Sequence, residues 1–351
     1  MNFHQSEEQL AIQHAVRSTL GDVWPMERLH AFSASEATFD SDSWNALMAL
    51  GIGGLLLPEE EGGSGLGFLE AAMLCEVLGE GAAPGPVAAQ LLTALAVHRS
   101  GNKEAAAFLS PLASGEKVAT IAWGEGWLPE SWDAVADDGV IRFVEAAERA
   151  DLFLLGTRGG GLALLEAGAG VAVEPFEAMD RSRPLATVRL SGARAHPLFA
   201  PGDPFVTKLF DAALLLTAAD ALGGAQHCVD LSVAYAKDRE QFGVAIGRFQ
   251  ALKHQLAQMA LEVEPARALL WYAGHALDTG LPDASHAVAT AKAHIADRFV
   301  SVARAAVAAH GGIGYTWEYG LNYWFRRSVA DRAWLGSPAL HRARAADLAG
   351  W

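Results

Sequence analysis

The chain has 351 residues, 51% of them hydrophobic, and a formal net charge of -15. That length allows two or three domains, and the acidic balance argues against nucleic acid or an anionic membrane as the main partner, while a local cluster of Arg, Lys or helix N-termini still suffices for an anionic nucleotide. Only two cysteines, Cys75 and Cys228, are present, which excludes a disulfide framework or a Cys-rich zinc site and fits a reducing cytoplasm.

Residues 1–10 carry acids and no apolar run, so no signal peptide is expected there. Ser6 followed by Glu7 and Glu8 is a helix start, with Leu10, Ile12, Val16 and Leu20 recurring at helical spacing behind it. Trp44, Leu47, Met48 and Ile52 predict a second, shorter helix. A glycine-rich breaker loop spans 58–67, and helices are predicted over 68–78 and 87–99. The pattern then changes to short apolar runs at 118–123, 140–144, 152–156, 162–165, 171–173 and 186–190, separated by Gly, Asp and Pro, which reads as a small β domain. Long helices return at 205–237, 249–279 and 284–309, with a last one at 339–348, the signature of an antiparallel bundle. The domain boundaries implied are 1–115 (helical), 116–200 (β) and 201–351 (helical bundle). No run reaches the ~18 apolar residues of a membrane span; the best, 212–222, contains Asp220. No zinc-hydrolase helix motif, phosphate-binding P-loop or nucleophile elbow occurs.

Two motifs carry chemistry. Arg239-Glu240-Gln241-Phe242-Gly243 closes one long helix and Gly247-Arg248-Phe249-Gln250 opens the next. Arg239 offers five donors suited to a pyrophosphate, the glycines permit tight turns, and Phe242 and Phe249 can shield a planar ring; a plain helix–helix corner accounts for the same spacing. His310-Gly311-Gly312-Ile313-Gly314-Tyr315 ends another long helix, where glycines expose backbone N–H groups to a phosphate or sugar, or simply cap the helix.

Taken in order, Arg239-x-Gln241-Phe242-Gly243, Ile246-Gly247-x-Phe249-Gln250, His254, Leu256-Ala257-x-Met259 and the run from Gly311 through Gly314 to Glu318 resemble the C-terminal bundle of the FAD-dependent acyl-CoA dehydrogenases. Leu57-Pro58-Glu59-Glu60, Gly62-Gly63-x-Gly65 and Glu76-x-Leu78-Gly79 resemble that family's N-terminal domain, and Asp180-Arg181-Ser182-Arg183 the end of its β domain. The resemblance implies a mainly α fold with a β middle domain: an N-terminal helical domain, a small β-barrel-like domain and a C-terminal four-helix bundle. It implies FAD bound between subunits near Arg239, Gln241, Phe242, Phe249, Gln250, His254, His310, Gly311, Gly312 and Gly314. It also implies an acyl-CoA substrate, an electron-transfer acceptor and a cytoplasmic oligomer. In the family a carboxylate removes the α-proton of the thioester while the β-hydrogen leaves as hydride to the flavin.

The expected carboxylate is missing. One usual position, counted from Arg326, falls on Leu335; the other, counted back from Arg239, falls on Ala213. A Gln expected two residues before His310 is Ala308, and the segment Trp123-Gly124-Glu125-Gly126-Trp127-Leu128-Pro129 replaces the family's flavin-facing Thr-Glu-Pro stretch. Three readings follow: a subunit that needs a partner bearing the base, a self-sufficient enzyme with another base such as Asp220, or a scaffold that has lost flavin. Asp211 and Glu318 are the other carboxylates near these positions, and Arg326, Arg327 and Arg332 read as ion-paired or nucleotide-facing.

Overall fold

The computed structural model describes residues 4–124, 126–134 and 138–351. Three helices open the chain: α1 (Glu7–Val23), α2 (Met26–Ala34) and α3 (Ser41–Ala49). α1 begins where the sequence signals it. Ser6 Oγ accepts from the Gln9 N–H and the Gln9 side chain accepts from the Ser6 N–H, closing a capping box with Glu7 and Glu8 in the first turn. After the glycine-rich loop come α4 (Phe68–Glu80), α5 (Val87–Ser100) and α6 (Leu109–Ala113). Ten of the 13 residues of α4 are buried, which makes it an internal helix and not an amphipathic surface one.

The middle of the chain supplies β1 (Ala119–Ala122), β2 (Asp138–Glu145), β3 (Leu152–Thr157), β4 (Gly161–Glu166), β5 (Val171–Phe176), β6 (Leu185–Ser191) and β7 (Ala195–Phe199). They form a four-stranded sheet in the order β1-β3-β4-β7 and a three-stranded sheet in the order β2-β6-β5. Phe153, Leu155 and Leu165 of the first sheet meet Ile141, Val188 and Leu190 of the second in one shared core, which accounts for the alternating burial of β6. Strand β7 was not expected from the sequence. It contains Pro197, which a strand tolerates at the edge of a sheet, and β7 is an edge strand.

The remainder is helical: α7 (Pro204–Asp238), a hairpin of β8 (Glu240–Gln241) and β9 (Val244–Ala245), then α8 (Gln250–Thr279), α9 (Ala284–His310), α10 (Leu321–Ala333) and α11 (Pro338–Leu348). Helix α10 adds a fifth to the four expected here. Its buried face carries Arg327, Ser328 and Asp331 among Leu321, Tyr323 and Trp324, so it shows no apolar period to read. Helix α7 crosses α4 at backbone contact: a Cβ on Gly223 would lie 1.8 Å from the Glu76 carbonyl oxygen, and one on Gly79 would lie 2.0 Å from that of Asp220. One hydrophobic core therefore runs from the N-terminal helices through β1 and β3 into the bundle. Among the described residues no helix is long and apolar enough to cross a membrane, and no group of His, Cys, Asp and Glu is arranged to hold a metal ion.

Candidate functional site

Helix α7 ends at Asp238, and Arg239 leaves it in an extended conformation while its N–H still bonds the Tyr235 carbonyl at 2.8 Å. The hairpin β8–β9 turns through Phe242 and Gly243, at φ of 55° and 76°. Two successive left-handed residues suit the twist of a two-residue hairpin. Gly243 adopts this conformation freely, whereas a bulky side chain at Phe242 resists it. Phe242 is 92% exposed and meets Phe249 edge-on, the ring centroids 6.1 Å apart. An apolar ring held strained and in water is a feature that a covering surface or ligand would explain.

The glycine loop lies at the same end of the bundle. The His310 ring stacks on Tyr235 at 4.5 Å, which sets the end of α9 beside the end of α7, and Gln255 Nε2 donates to the Ala305 carbonyl at 2.8 Å, which sets the start of α8 there too. Gly311 and Gly312 are exposed, and a Cβ at either would meet nothing within 4 Å. Gly314 and His310 are buried. The His310 ring lies between Tyr235 and Tyr319, with Nδ1 on the Ala306 carbonyl at 2.8 Å, so this histidine shapes the loop and does not face outward with its neighbours. Burial pushes its pKa below the ordinary value despite backbone hydrogen bonding to Ala306 and Leu231.

The face made by these segments exposes Phe242, Phe249, Ile313, Tyr315 and Trp317. Arg239, Gln241, Gln250 and His254 are exposed on it as well. Arg239, Arg248 and Lys253 have no ion-pair partner among the described residues, on a chain of net charge -15. Unpaired cations, open glycine backbone and aromatic rings thus share one surface.

The two expected base positions lie elsewhere. Leu335 follows α10, is buried, and adopts a φ of 56°; its carbonyl accepts from His341 Nε2 at 2.8 Å. Burial holds His341 down at about 4, so its ring is neutral at pH 7. Ala213 is buried within α7. Lys292 Nζ donates to the Asp331 carbonyl at 2.6 Å, which places the end of α10 beside the first third of α9. Eighteen residues of α9 then separate Lys292 from His310, roughly 27 Å at ~1.5 Å per residue. Within one chain the Leu335 region and the motif face stand at opposite ends of the bundle.

Beside Leu335 is a cavity of about 280 Å³ walled by Trp127, Phe143, Phe176 and Trp334, with Glu145, Asp180 and Asp331 also on its lining. Of the segment expected to face a flavin, Trp127 lines this cavity, while Glu125 lies outside the described residues. Behind the cavity is a buried ionic cluster. Arg327 grips Asp220 with Nε at 2.8 Å and Nη2 at 2.7 Å, and spans to Ser182 Oγ at 2.9 Å and the Ala83 carbonyl at 3.1 Å. Arg183 bonds Asp220 and, at 2.5 Å, Asp331.

These contacts correct the reading of Asp220 as a substitute base. Burial would raise its pKa, but Arg183 and Arg327 hold it below the ordinary carboxylate range, and both its oxygens are occupied by guanidinium donors. Asp211 is likewise engaged, by Arg344 at 2.7 Å and Ser285 at 2.5 Å. Glu318 is exposed at the glycine-loop end. Arg327 is ion-paired, Arg332 pairs with Asp297 at 2.8 Å, and Arg326 stacks on Trp317 at 4.8 Å. Sequence reasoning passed over Glu145 and Lys292. The signals available were an acid in the apolar run of β2 and a lysine among the alanines of α9.

The description "Acyl-CoA dehydrogenase, C-terminal domain" matches residues 202–349, and "Acyl-CoA dehydrogenase, N-terminal domain" matches residues 6–116. The chain is 33% identical over 334 residues to the acyl-CoA dehydrogenase IpdE2 of Mycolicibacterium smegmatis, covering 95% of this chain and 96% of that one. It is also 33% identical to the acyl-CoA dehydrogenase FadE34 of Mycobacterium tuberculosis, covering 98% of this chain and 48% of the longer relative. Among solved structures, a Tcur3481-Tcur3483 steroid ACAD variant superposes with a TM-score of 0.89 at 29% identity, covering 98% of each chain. The ChsE4-ChsE5 complex from Mycobacterium tuberculosis gives 0.90 at 26% identity, covering 100% of this chain and 99% of that one.

Proposed function

The chain belongs to the acyl-CoA dehydrogenase family of FAD-dependent oxidoreductases acting on the CH–CH bond of acyl-CoA thioesters, and from that premise we propose that it is a flavoprotein subunit needing a second, base-bearing chain. The observation that carries this reading is the pairing of a motif face that keeps Arg239 to Gln250 and the Gly311 loop with Leu335 and Ala213 at the base positions. The two stand at opposite ends of the bundle, so one flavin site would use them from two different subunits.

The residues of the motif face fit the anionic half of FAD. Arg239, with Arg248 and Lys253, supplies unpaired positive charge; Gly311 and Gly312 leave open space for a ligand to approach the backbone; Phe242 and Phe249 supply apolar cover. FAD held there would supply the acceptor for the substrate's β-hydrogen as hydride. This chain's own residues bind and orient the cofactor and exclude water from it. The carboxylate that takes the α-proton comes from the partner, since Asp220 is locked in its guanidinium pair. The substrate class is a bulky, steroid-derived acyl-CoA, a reading supported by the steroid ACAD at 29% identity. The electrons pass on to an electron-transfer acceptor, and the setting is cytoplasmic, with Cys75 and Cys228 both free and buried.

The test is a visible spectrum of the chain alone and co-expressed with a base-bearing relative, before and after acyl-CoA. Flavin colour bleached by substrate is expected in the assembly, and Arg239→Ala there should cut flavin retention at least tenfold. General-base catalysis contributes ~10²–10⁴-fold, so rapid turnover by the purified homomer would refute the shared-site reading.

A further inference from the structure

The last turn of α7 is where the separate pieces of the motif face meet. The Tyr235 carbonyl accepts from the Arg239 N–H, and the Arg239 carbonyl accepts from the Ile246 N–H, each at 2.8 Å. A Cβ on Gly247 would lie 2.8 Å from the Ala236 carbonyl oxygen, so the entry to α8 rests on the same turn. The hairpin and the start of α8 are thus fixed to α7 through backbone atoms.

The glycine loop is held differently. Among the described residues no backbone hydrogen bond joins it to α7 or to the hairpin. The link runs through three rings. His310 stacks on Tyr235 with centroids 4.5 Å apart, Tyr319 meets His310 at 4.9 Å, and the two tyrosines meet edge-on at 5.9 Å. Each ring touches the other two, so moving one breaks two contacts. His310 is buried between half-buried tyrosines.

The loop is wrapped closely around the clamped ring. Gly311, next in the chain, turns away at φ 65°, a conformation that favours glycine. A Cβ on Gly314 would lie 2.9 Å from the Val307 carbonyl oxygen and 3.1 Å from the His310 Cβ. A shift of His310 therefore carries the loop with it. Tyr235 stands one helical turn before Arg239, so the same side chain that receives the His310 ring belongs to the turn from which Arg239 leaves.

We propose that Tyr235 and Tyr319 are positioning residues for the cofactor: they clamp the His310 ring between them and thereby set the backbone of Gly311 and Gly312 at a fixed spacing from Arg239. Each acts through His310 and not by touching the ligand. An anion held by Arg239 and approached by the loop binds tightly only when that spacing is preset, because ordering two mobile segments at the moment of binding subtracts from affinity. A role in packing alone predicts something else, a lower unfolding midpoint with unchanged cofactor affinity once the assembly is folded. The inference rests on the reading of the motif face as a flavin site.

The experiment titrates the co-expressed assembly, stripped of its flavin, with FAD, followed by the quenching of flavin fluorescence. Tyr235→Leu should raise the dissociation constant about tenfold, and Tyr235→Phe, which keeps the ring, should stay within about twofold of the parent. Tyr319→Leu, at a half-buried residue outside the helices, should act in the same direction, and it keeps the test open if Tyr235→Leu fails to fold. If the ring sets the spacing to Arg239, Tyr235→Leu added to Arg239→Ala should cost at most about a further twofold. In the lone chain, amide exchange at residues 239–241 and 311–315 should rise together in Tyr235→Leu, a readout that needs no flavin. Fully additive losses, or leucine variants that bind FAD like the parent while Arg239→Ala does not, would overturn the positioning role. An Arg239→Ala assembly that binds FAD like the parent would refute the flavin-face reading itself, and the inference with it.

Discussion

Replacing Asp220 by Asn separates an anchor from a catalyst. The carboxylate is 4% exposed and accepts from three guanidinium nitrogens, Arg327 Nε and Nη2 and one Nη of Arg183. Asn keeps the shape but turns an amide N–H₂ toward a donor, and it leaves two buried guanidiniums short of one counter-charge. Removing one partner of a buried ion pair costs about 3–5 kcal/mol. The loss should fall on the whole chain, because Arg327 reaches Ala83 in the N-terminal helical part, Ser182 beside the β sheets and Asp220 in the bundle. Urea unfolding followed by both circular dichroism and tryptophan fluorescence should show a lowered midpoint in both signals together. Residual activity in an intact assembly should drop only with folded protein. An unchanged midpoint accompanied by a ~10²–10⁴-fold fall in turnover would refute the anchor assignment and restore Asp220 as a base.

Gly223→Ala places a Cβ 1.8 Å from the Glu76 carbonyl oxygen, and this backbone clash should cost at or beyond the upper end of ~1–3 kcal/mol, read as a thermal or urea midpoint. Phe242→Gly should leave the lone chain equally stable or gain up to ~1 kcal/mol, because the left-handed turn at φ 55° is relaxed, yet should weaken flavin retention in the assembly; unfolding curves and the flavin absorbance ratio measure the two. Asp331 gives a pH dependence of defined sign. Its pKa in the fold, about 7, lies above the ordinary carboxylate value, so its contribution is fully present below pH ~4 and lost as pH rises through 7. His341, held near 4 by burial, acts oppositely, lowering stability as pH falls from ~6.5 toward 4. Chemical unfolding across pH 6.5–8 should therefore show declining stability, and Asp331→Asn should flatten that decline.

The sequence by itself determined much of this protein. Ser6 and Gln9 signalled the start of α1, the long apolar periods located α7, α8 and α9, and Arg239 to Gln250 with the Gly311 loop identified the family. Those features are local: a cap, a helical repeat or a turn is written within a few consecutive residues. The absence of a carboxylate at Leu335 and Ala213 was legible for the same reason, as a residue at a counted position. Tertiary structure decided the rest. Helix α10 hides its buried face in Arg327, Ser328 and Asp331, and the Arg327 partners Asp220, Ser182 and Ala83 lie 107 to 244 residues away in sequence. The role of Asp220 depends on those distant guanidiniums, since the same carboxylate alone in a helix could have served as a base. Glu145 and Asp331 meet on the lining of one cavity only through the tertiary fold. The division of the motif face from the cavity by roughly 27 Å of α9 follows from which helix ends pack together, Tyr235 with His310 and Lys292 with Asp331, and pairings over such sequence separations leave no periodic trace in the chain.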